Sequence, residues 1–319
     1  MPERTPNCAA SLDPRINRAV EAALRTKVTG HSQIRRGATN HVYKVETADG
    51  TVILKLFRSK DWPEPGKLEW VEQRLREENI PHARTLYHSG GDDIFSAGYV
   101  LYEYLTGEQP ENLIDDKRLS VEAFYEQLGS LLSRIHRIKV RRYGYVRRGA
   151  GSHQDFVKHR LGEGHDDVDM LRRMEDEDLT LYLRARAKVE ESLRPLGRHY
   201  APVLTHGDPN PKNCIWLKSG QPVLVDWDNA AASLWIRDYA HVTYLSLKRA
   251  RQDAVGEYMC KVRDAFLKGY GEIDFSFADL ARIEKAWHII SAHNSLPYLC
   301  RSRPEDFMRT RDYLLSLLA

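Results

Sequence analysis

His206-Gly207-Asp208-Pro209-Asn210-Pro211-Lys212-Asn213, followed by Leu224-Val225-Asp226-Trp227, is the part of this 319-residue chain that says most about its fold. The first segment separates two apolar runs, Pro202-Val203-Leu204-Thr205 and Cys214-Ile215-Trp216-Leu217, and the second closes a third, Pro222-Val223-Leu224-Val225. Short apolar runs bounded by Gly, Pro and Asn read as buried strands joined by turns. A lone His-Gly-Asp would be an ordinary turn, because Gly and Asp are common there. The information lies in the pairing: two carboxylates and a carboxamide, Asp208, Asp226 and Asn213, sit at the ends of neighbouring strands.

Working outward, the stretch before this island is short and mixed. Residues 12–28 read as a helix, with Asp13 as cap, Pro14 in the first turn and Ile16, Val20 and Leu24 on one face. The runs His41–Thr47 and Thr51–Phe57 flank Asp49-Gly50, a strong hairpin signal. A loop with two prolines leads to a helix over 68–79, which must stop near Ile80-Pro81 because proline disfavours helix in the residue before it. Residues 97–105 read as a further strand. Beyond Gly107 the pattern becomes helical: Val121, Phe124, Leu128, Leu131, Leu132 and Ile135 share a stripe, and similar patterns recur over 178–194, 235–249, 276–293 and 305–318. The expected organisation is α+β: a small β-rich lobe over 1–106 and a large, mostly helical lobe over 107–319 with the Asp-bearing loops set in it.

These residue types match the needs of phosphoryl transfer. That reaction requires a carboxylate to orient the attacking hydroxyl, oxygen ligands for Mg²⁺ and a cation on the nucleotide phosphates. Asp208 and Asn213 supply a base and a metal ligand from one loop, and Asp226 supplies a second, anionic ligand. Mg²⁺ takes few protein oxygens, because phosphate and water complete its shell. Lys55 lies within the apolar strand Val52–Phe57, where a buried cation needs a partner.

The pattern HGDxxxxN followed by VDW resembles the aminoglycoside phosphotransferase and choline kinase-like family, small-molecule relatives of the protein kinases. The likeness runs over roughly residues 30–245. It implies a bilobal protein-kinase-like fold with ATP or GTP as phosphate donor and Mg²⁺ as cofactor. It also implies Asp208 as catalytic base, Asn213 and Asp226 as metal ligands, and His206 as a buttress of the loop. By the same resemblance Lys55 contacts the α/β-phosphates and pairs with a glutamate of the next helix, Glu69 first and Glu72 second. The turn Gly37-Ala38-Thr39-Asn40 approaches phosphate, and main-chain groups near Glu103 and Leu105 read the adenine. His136 is expected to be structural. Asn210 stands where the family often has His and Lys212 where a small residue is common; two places are open to Lys212, one adding charge near the phosphates and the other in solvent.

Other features bound the partners. The net charge of +3 excludes a large basic field and argues against a nucleic-acid partner. The basic residues from Arg134 to Arg148 carry no motif and read as solvated surface, with an anionic acceptor site as the alternative. Cys8, Cys214, Cys260 and Cys300 lie far apart, which suits free thiols in a reducing compartment. No apolar leader or membrane-length run is visible, so a cytoplasmic protein without a membrane partner is expected. Little chain separates Asp226 from the helix near Trp235, leaving no room for a long activation segment. The acceptor is therefore expected to be a small-molecule hydroxyl, with an aminoglycoside-like or other antibiotic first. Choline, an amino sugar or homoserine, and a non-catalytic nucleotide-binding regulator, are the alternatives. The acidic segment 163–178 reads first as a solvated face and second as a surface suited to a cationic acceptor, and Asp228 as an acceptor or supporting contact. Trp287 reads as core.

Overall fold

The computed structural model describes residues 13–36, 40–146, 150–154, 175–194, 201–249, 255–273, 276–302 and 304–319. The chain packs as two units. One holds residues up to Glu72 together with His82–Thr106, and the other holds Gln73–Pro81 together with Gly107–Ala319. The α+β organisation read from the sequence is present.

The first unit is built on a five-stranded antiparallel sheet in the order β1-β2-β3-β5-β4. Its strands are β1 (Val28–Arg36), β2 (Asn40–Thr47), β3 (Gly50–Phe57), β4 (Thr85–Ser89) and β5 (Tyr99–Glu103). Helix α1 (Pro14–Leu24) starts where Asp13 Oδ1 accepts the Arg15 N–H at 3.0 Å, with Pro14 in its first turn. Its apolar face, Ile16, Ala19 and Val20, shares one core with Val45, Leu54, Tyr99 and Leu101. Burying each such side chain contributes about 1.5–3 kcal/mol before conformational entropy is counted. The helix expected to reach residue 28 stops at Leu24, where Arg25 turns left-handed at φ 56°. Val28 already begins β1, an edge strand whose polar sequence and two register shifts hide the alternation that marks a strand. Helix α2 (Lys67–Glu77) follows β3.

In the second unit, β6 (Gly107–Glu108), α3 (Pro110–Asp115), α4 (Val121–Ile135) and β7 (Gly144–Tyr145) come first. Then follow α5 (Asp176–Leu193), β8 (Val203–Thr205), β9 (Cys214–Leu217), β10 (Pro222–Leu224) and β11 (Ala231–Ser233). The last described helices are α6 (Ile236–Arg249), α7 (Val255–Tyr270), α8 (Phe277–Ser302) and α9 (Pro304–Leu318). Helix α7 was not among the expected segments, although Met259, Val262, Ala265 and Phe266 bury one face; Gly256 and Gly269 weaken its helical signal. Helix α8 runs nine residues past the expected end at 293. Helices α4 and α7 meet closely through glycine. A Cβ on Gly129 would lie 2.2 Å from the Phe266 carbonyl oxygen, and one on Gly269 would lie 1.8 Å from that of Glu126.

Two three-stranded sheets, β10-β9-β6 and β7-β11-β8, frame the Asp-bearing loops. The loop from His206 to Asn213 leaves β8 of one sheet and enters β9 of the other. Asp226 follows β10, whose Leu224 stands opposite Cys214 in the β9 ladder. Among the described residues, no helix is long and apolar enough to cross a membrane, and Cys214, Cys260 and Cys300 are free thiols.

Candidate active site

The loop is held by hydrogen bonds from outside it. The main-chain N–H of His206 donates to Asp238 Oδ2 and that of Gly207 to Asp238 Oδ1, each at 2.8 Å. Asp238 stands in the first turn of α6 and is fully buried, and His136 Nε2 reaches its Oδ2 at 3.1 Å. The other ring nitrogen of His136 lies 2.9 Å from the Tyr270 hydroxyl, so this histidine is structural, as expected. Burial alone would raise the Asp238 carboxyl, but the hydrogen bond and charge of His136, with His206 and Arg237, bring it below the ordinary carboxylate value. The carboxylate is ionised and accepts from three donors.

His206 joins the two motifs. Its Nε2 lies 3.1 Å from the Val225 carbonyl oxygen, which can only accept, so Nε2 carries the proton. Nδ1 is then the acceptor of the Asp208 N–H at 3.3 Å. Both bonds suit a neutral ring. Burial pushes the His206 pKa below its ordinary 6.5, against the pull of Asp238, Asp208 and Asp226.

Gly207 is required by geometry. Its φ is +84°, and a Cβ there would lie 2.2 Å from the Asn229 carbonyl oxygen. Gly207→Ala is expected to lower stability by at least about 1–2 kcal/mol, the cost of a left-handed alanine, with the clash in addition. A urea titration read at its midpoint checks this.

Asp208 sits after that turn with its side chain 27% exposed. Its Oδ1 accepts from Asn210 Nδ2 at 2.6 Å and from His241 Nε2 at 2.9 Å, and its Oδ2 accepts from Asn213 Nδ2 at 2.8 Å. Burial acts to raise its pKa, but the hydrogen bond and charge of His241 and the Asn210 amide hold it below the ordinary value. Asn210 also caps the short turn Pro211–Asn213 by accepting the Lys212 N–H at 2.8 Å. The Lys212 side chain is exposed.

Asn213 is almost fully buried, and its carbonyl oxygen accepts the Val225 N–H at 2.9 Å. That bond brings the end of β10, and Asp226 after it, alongside Asn213. Asp226 adopts the left-handed conformation, φ 67° and ψ 62°, which costs a non-glycine residue of order 1–3 kcal/mol. With the amide nitrogen of Asn213 donating to Asp208, its oxygen is the atom with metal-binding capacity. An amide oxygen and a carboxylate are hard ligands of the kind Mg²⁺ takes, in the small number it needs when phosphates complete the shell. The residues therefore fit that ion. Asp228, read as an acceptor or supporting contact, is buried, 4% exposed.

The sequence of this loop, its two strands and the preceding sheet match the model of the phosphotransferase enzyme family over residues 30–284. The chain belongs to that family.

Solved structures of phosphotransferases have the same fold. A thermostable mutant of an aminoglycoside phosphotransferase, in ternary complex with AMP-PNP and hygromycin B, superposes with a TM-score of 0.72 at 11% identity, covering 95% of this chain and 97% of the other. A spectinomycin phosphotransferase in complex with ADP and spectinomycin gives 0.59 at 11% identity over 97% and 98% of the two chains. A choline kinase from Streptococcus pneumoniae gives 0.62 at 15% identity over 95% and 97%. At such identities the likeness concerns the fold. No curated protein matches the sequence.

In the first unit, Lys55 is buried in β3, opposite Val42 and Val100. The Glu69 carboxylate is bonded to His88 Nδ1, and that bond leads the causes that lower its pKa. Glu72 Oε2 accepts the Thr85 N–H at 3.2 Å. Asn40 is buried at the start of β2, and its Oδ1 accepts the Arg58 N–H at 3.3 Å. The Glu103 N–H donates to the Arg84 carbonyl at 3.0 Å, and its side chain accepts from the Arg84 N–H. Leu105 follows β5 in non-regular chain. Gly37, and the acidic segment up to residue 174, lie outside the described residues. Asp178, at the end of that segment, is held by Arg311 Nε at 2.5 Å. Trp287 is in the core, 1% exposed.

Asp238 and His241 were missed from sequence. Asp238 stands among the buried Ile236, Tyr239 and Ala240, and an acid in so apolar a helix start could have flagged it, since a buried carboxylate needs partners. His241 carried no local signal.

Proposed function

We propose that this chain is a Mg²⁺-dependent kinase that transfers the γ-phosphate of ATP or GTP to a hydroxyl of a small molecule. The observation that carries the reading is the Asp208 carboxylate. It is ionised, part-exposed and hydrogen-bonded to Asn213, which is itself tied through Val225 to the strand end bearing Asp226. In this reading Asp208 accepts a hydrogen bond from the acceptor hydroxyl and aligns its oxygen for attack. As the new O–P bond forms and the bond to the nucleoside diphosphate breaks, the hydroxyl proton passes to Asp208. A carboxylate of lowered pKa is a weak base, which suits a loose transition state where that proton becomes acidic only late. Orientation then outweighs proton abstraction in the rate.

Asn213 and Asp226 would hold Mg²⁺, which when bound neutralises charge on the transferring phosphates. Lys55 would contact the α/β-phosphates, and Gly37 and Asn40 would shape the turn near them. The Glu103 N–H is committed to Arg84, so adenine would be read through the Glu103 carbonyl and main-chain groups at Leu105. Antibiotic hydroxyls, aminoglycosides first, are the acceptors we favour, because similar folds are recorded with hygromycin B and spectinomycin. Choline, an amino sugar or homoserine remain the metabolite alternatives, the first supported by the choline kinase likeness.

The test is nucleoside-diphosphate release from ATP and GTP with Mg²⁺, across aminoglycosides, other antibiotics, choline and amino sugars. Acceptor-dependent release, abolished by EDTA and lowered about 10²-fold or more in Asp226→Asn, is the expected result. Tight nucleotide binding without Mg²⁺ dependence or turnover would favour a non-catalytic regulator instead.

A further inference from the structure

The surroundings of Asp208 point to one more residue of the machinery. An ionised carboxylate has about four lone-pair directions. Among the described residues, Asn210 and His241 take both directions of Oδ1, and Asn213 takes one of Oδ2. The second direction of Oδ2 is the one left for an acceptor hydroxyl. Asn210 and Asn213 belong to the loop and move with it. His241 is the one donor of the three from outside.

His241 lies three residues after Asp238 on α6, so both project from the same helix face. One helix therefore fastens the loop twice. Asp238 holds the backbone at His206 and Gly207, and His241 holds the side chain at Asp208. The backbone brace keeps the loop in place, but torsions about the Asp208 Cα–Cβ and Cβ–Cγ bonds would remain open without the second contact. The imidazole is itself 26% exposed and so lies at the accessible side of the carboxylate.

We propose that His241 is a positioning residue for phosphoryl transfer: by donating from Nε2 to Asp208 Oδ1 it fixes the carboxylate rotamer and confines the acceptor hydroxyl to Oδ2. The proposal rests on the reading of Asp208 as the base. It assigns His241 no contact with substrate and no net proton transfer.

The experiment compares wild type with His241→Leu, His241→Gln and Asp208→Ala by nucleoside-diphosphate release from MgATP and MgGTP. Water serves as the acceptor in every case, alongside any acceptor that stimulates. His241→Leu removes the donor. In His241→Gln the amide Nε2 can occupy the place of the imidazole Nε2 and donate. His241→Leu is expected to lose about 10–100-fold in kcat, the usual effect of losing an orienting partner, with the nucleotide KM unchanged. His241→Gln is expected to stay within a few-fold of wild type. Where a thermal melt shows His241→Leu to be unfolded, His241→Phe replaces it as the larger non-donor. Wild-type kcat in the folded non-donor variant, or equal impairment of His241→Gln, overturns the proposal. Turnover that survives in Asp208→Ala overturns the reading of the base itself, and no wild-type turnover with either nucleotide overturns both.

Discussion

Asp208→Ala is expected to lower turnover by about 10²–10⁴-fold while nucleotide affinity stays close to that of wild type. The carboxylate is the group that would align the hydroxyl and then take its proton, and two neighbouring acids are placed otherwise: Asp226 stands at the end of another strand and Asp238 is buried beneath the loop. The structural damage should be small. Asn210, Asn213 and His241 lose one partner each, but the Asp208 side chain is part-exposed, so water can replace it. The measurement is kcat from coupled nucleoside-diphosphate release, with nucleotide binding followed by titration calorimetry. A variant that binds nucleotide and turns over at the wild-type rate would remove Asp208 from the mechanism. One that loses binding as well would show that the side chain shapes the loop more than it serves the reaction.

Replacing Asp238 with leucine is the second large effect, and it should appear first in stability. The substitution removes the acceptor from the His206 and Gly207 N–H groups and from His136 Nε2. Each buried donor left unpaired costs about 1–3 kcal/mol, and breaking a buried charge network costs about 3–5 kcal/mol. That is a large fraction of a typical 5–15 kcal/mol stability. The expected result is a fall of about 3–5 kcal/mol in a urea titration, with activity lost in whatever protein remains folded. Asp238→Asn keeps one acceptor oxygen but turns an amide N–H toward a main-chain N–H, so it should lie between wild type and leucine. A stability loss below about 1 kcal/mol for Asp238→Leu would mean that the loop finds its hydrogen bonds elsewhere.

Buried histidines and carboxylates, His288 of helix α8 among them, set the acid limit. His206 and His288 are buried, and burial pushes both below the ordinary 6.5, His288 to about 4. The unfolded chain therefore binds more protons than the folded one as pH falls through 6.5, so stability is complete above that value and declines below it. Asp238 and Asp208 are depressed from the ordinary 3.8. Their contribution is present above that value and is lost as pH falls through their lower folded values. The expected curve is flat above about pH 7, slopes by up to about two protons between 6.5 and 4, and steepens below. His288→Phe should remove one proton from the intermediate slope, measured as urea midpoint against pH.

Much of this was open to a reader of the chain alone. The spacing of Asp208, Asn213 and Asp226 reflects local chemistry, since a short loop between two strands and the end of a third keep these residues near one another in any packing. The Asp13 cap, the Asp49-Gly50 hairpin and the apolar stripes are likewise local, and they gave the α+β order of elements. Strand β1 was hidden because a polar edge strand lacks alternation, and α7 because its two glycines weaken the helical signal, one of them, Gly269, serving a close helix contact.

What holds the loop was not legible. Asp238 reaches His206 and Gly207 across more than thirty residues and His136 across about a hundred; His241 reaches Asp208 from the same helix. Nothing in the local pattern says which face of α6 docks beneath the loop. Asp238 and His241 lie on the side of the helix opposite Ile236, Tyr239, Ala240 and Thr243, and it is the burial of those four in the core that turns the polar pair toward the loop. In the same way the sequence ranks Glu69 before Glu72 as partner of a buried lysine, but only the sheet sets His88 beside the one and the Thr85 N–H beside the other. Residue types and their spacing along the chain name the groups that could do the chemistry, because both are local. Which groups hold them in place is a matter of the fold, because a hydrogen bond between distant segments exists only once the core has brought those segments together.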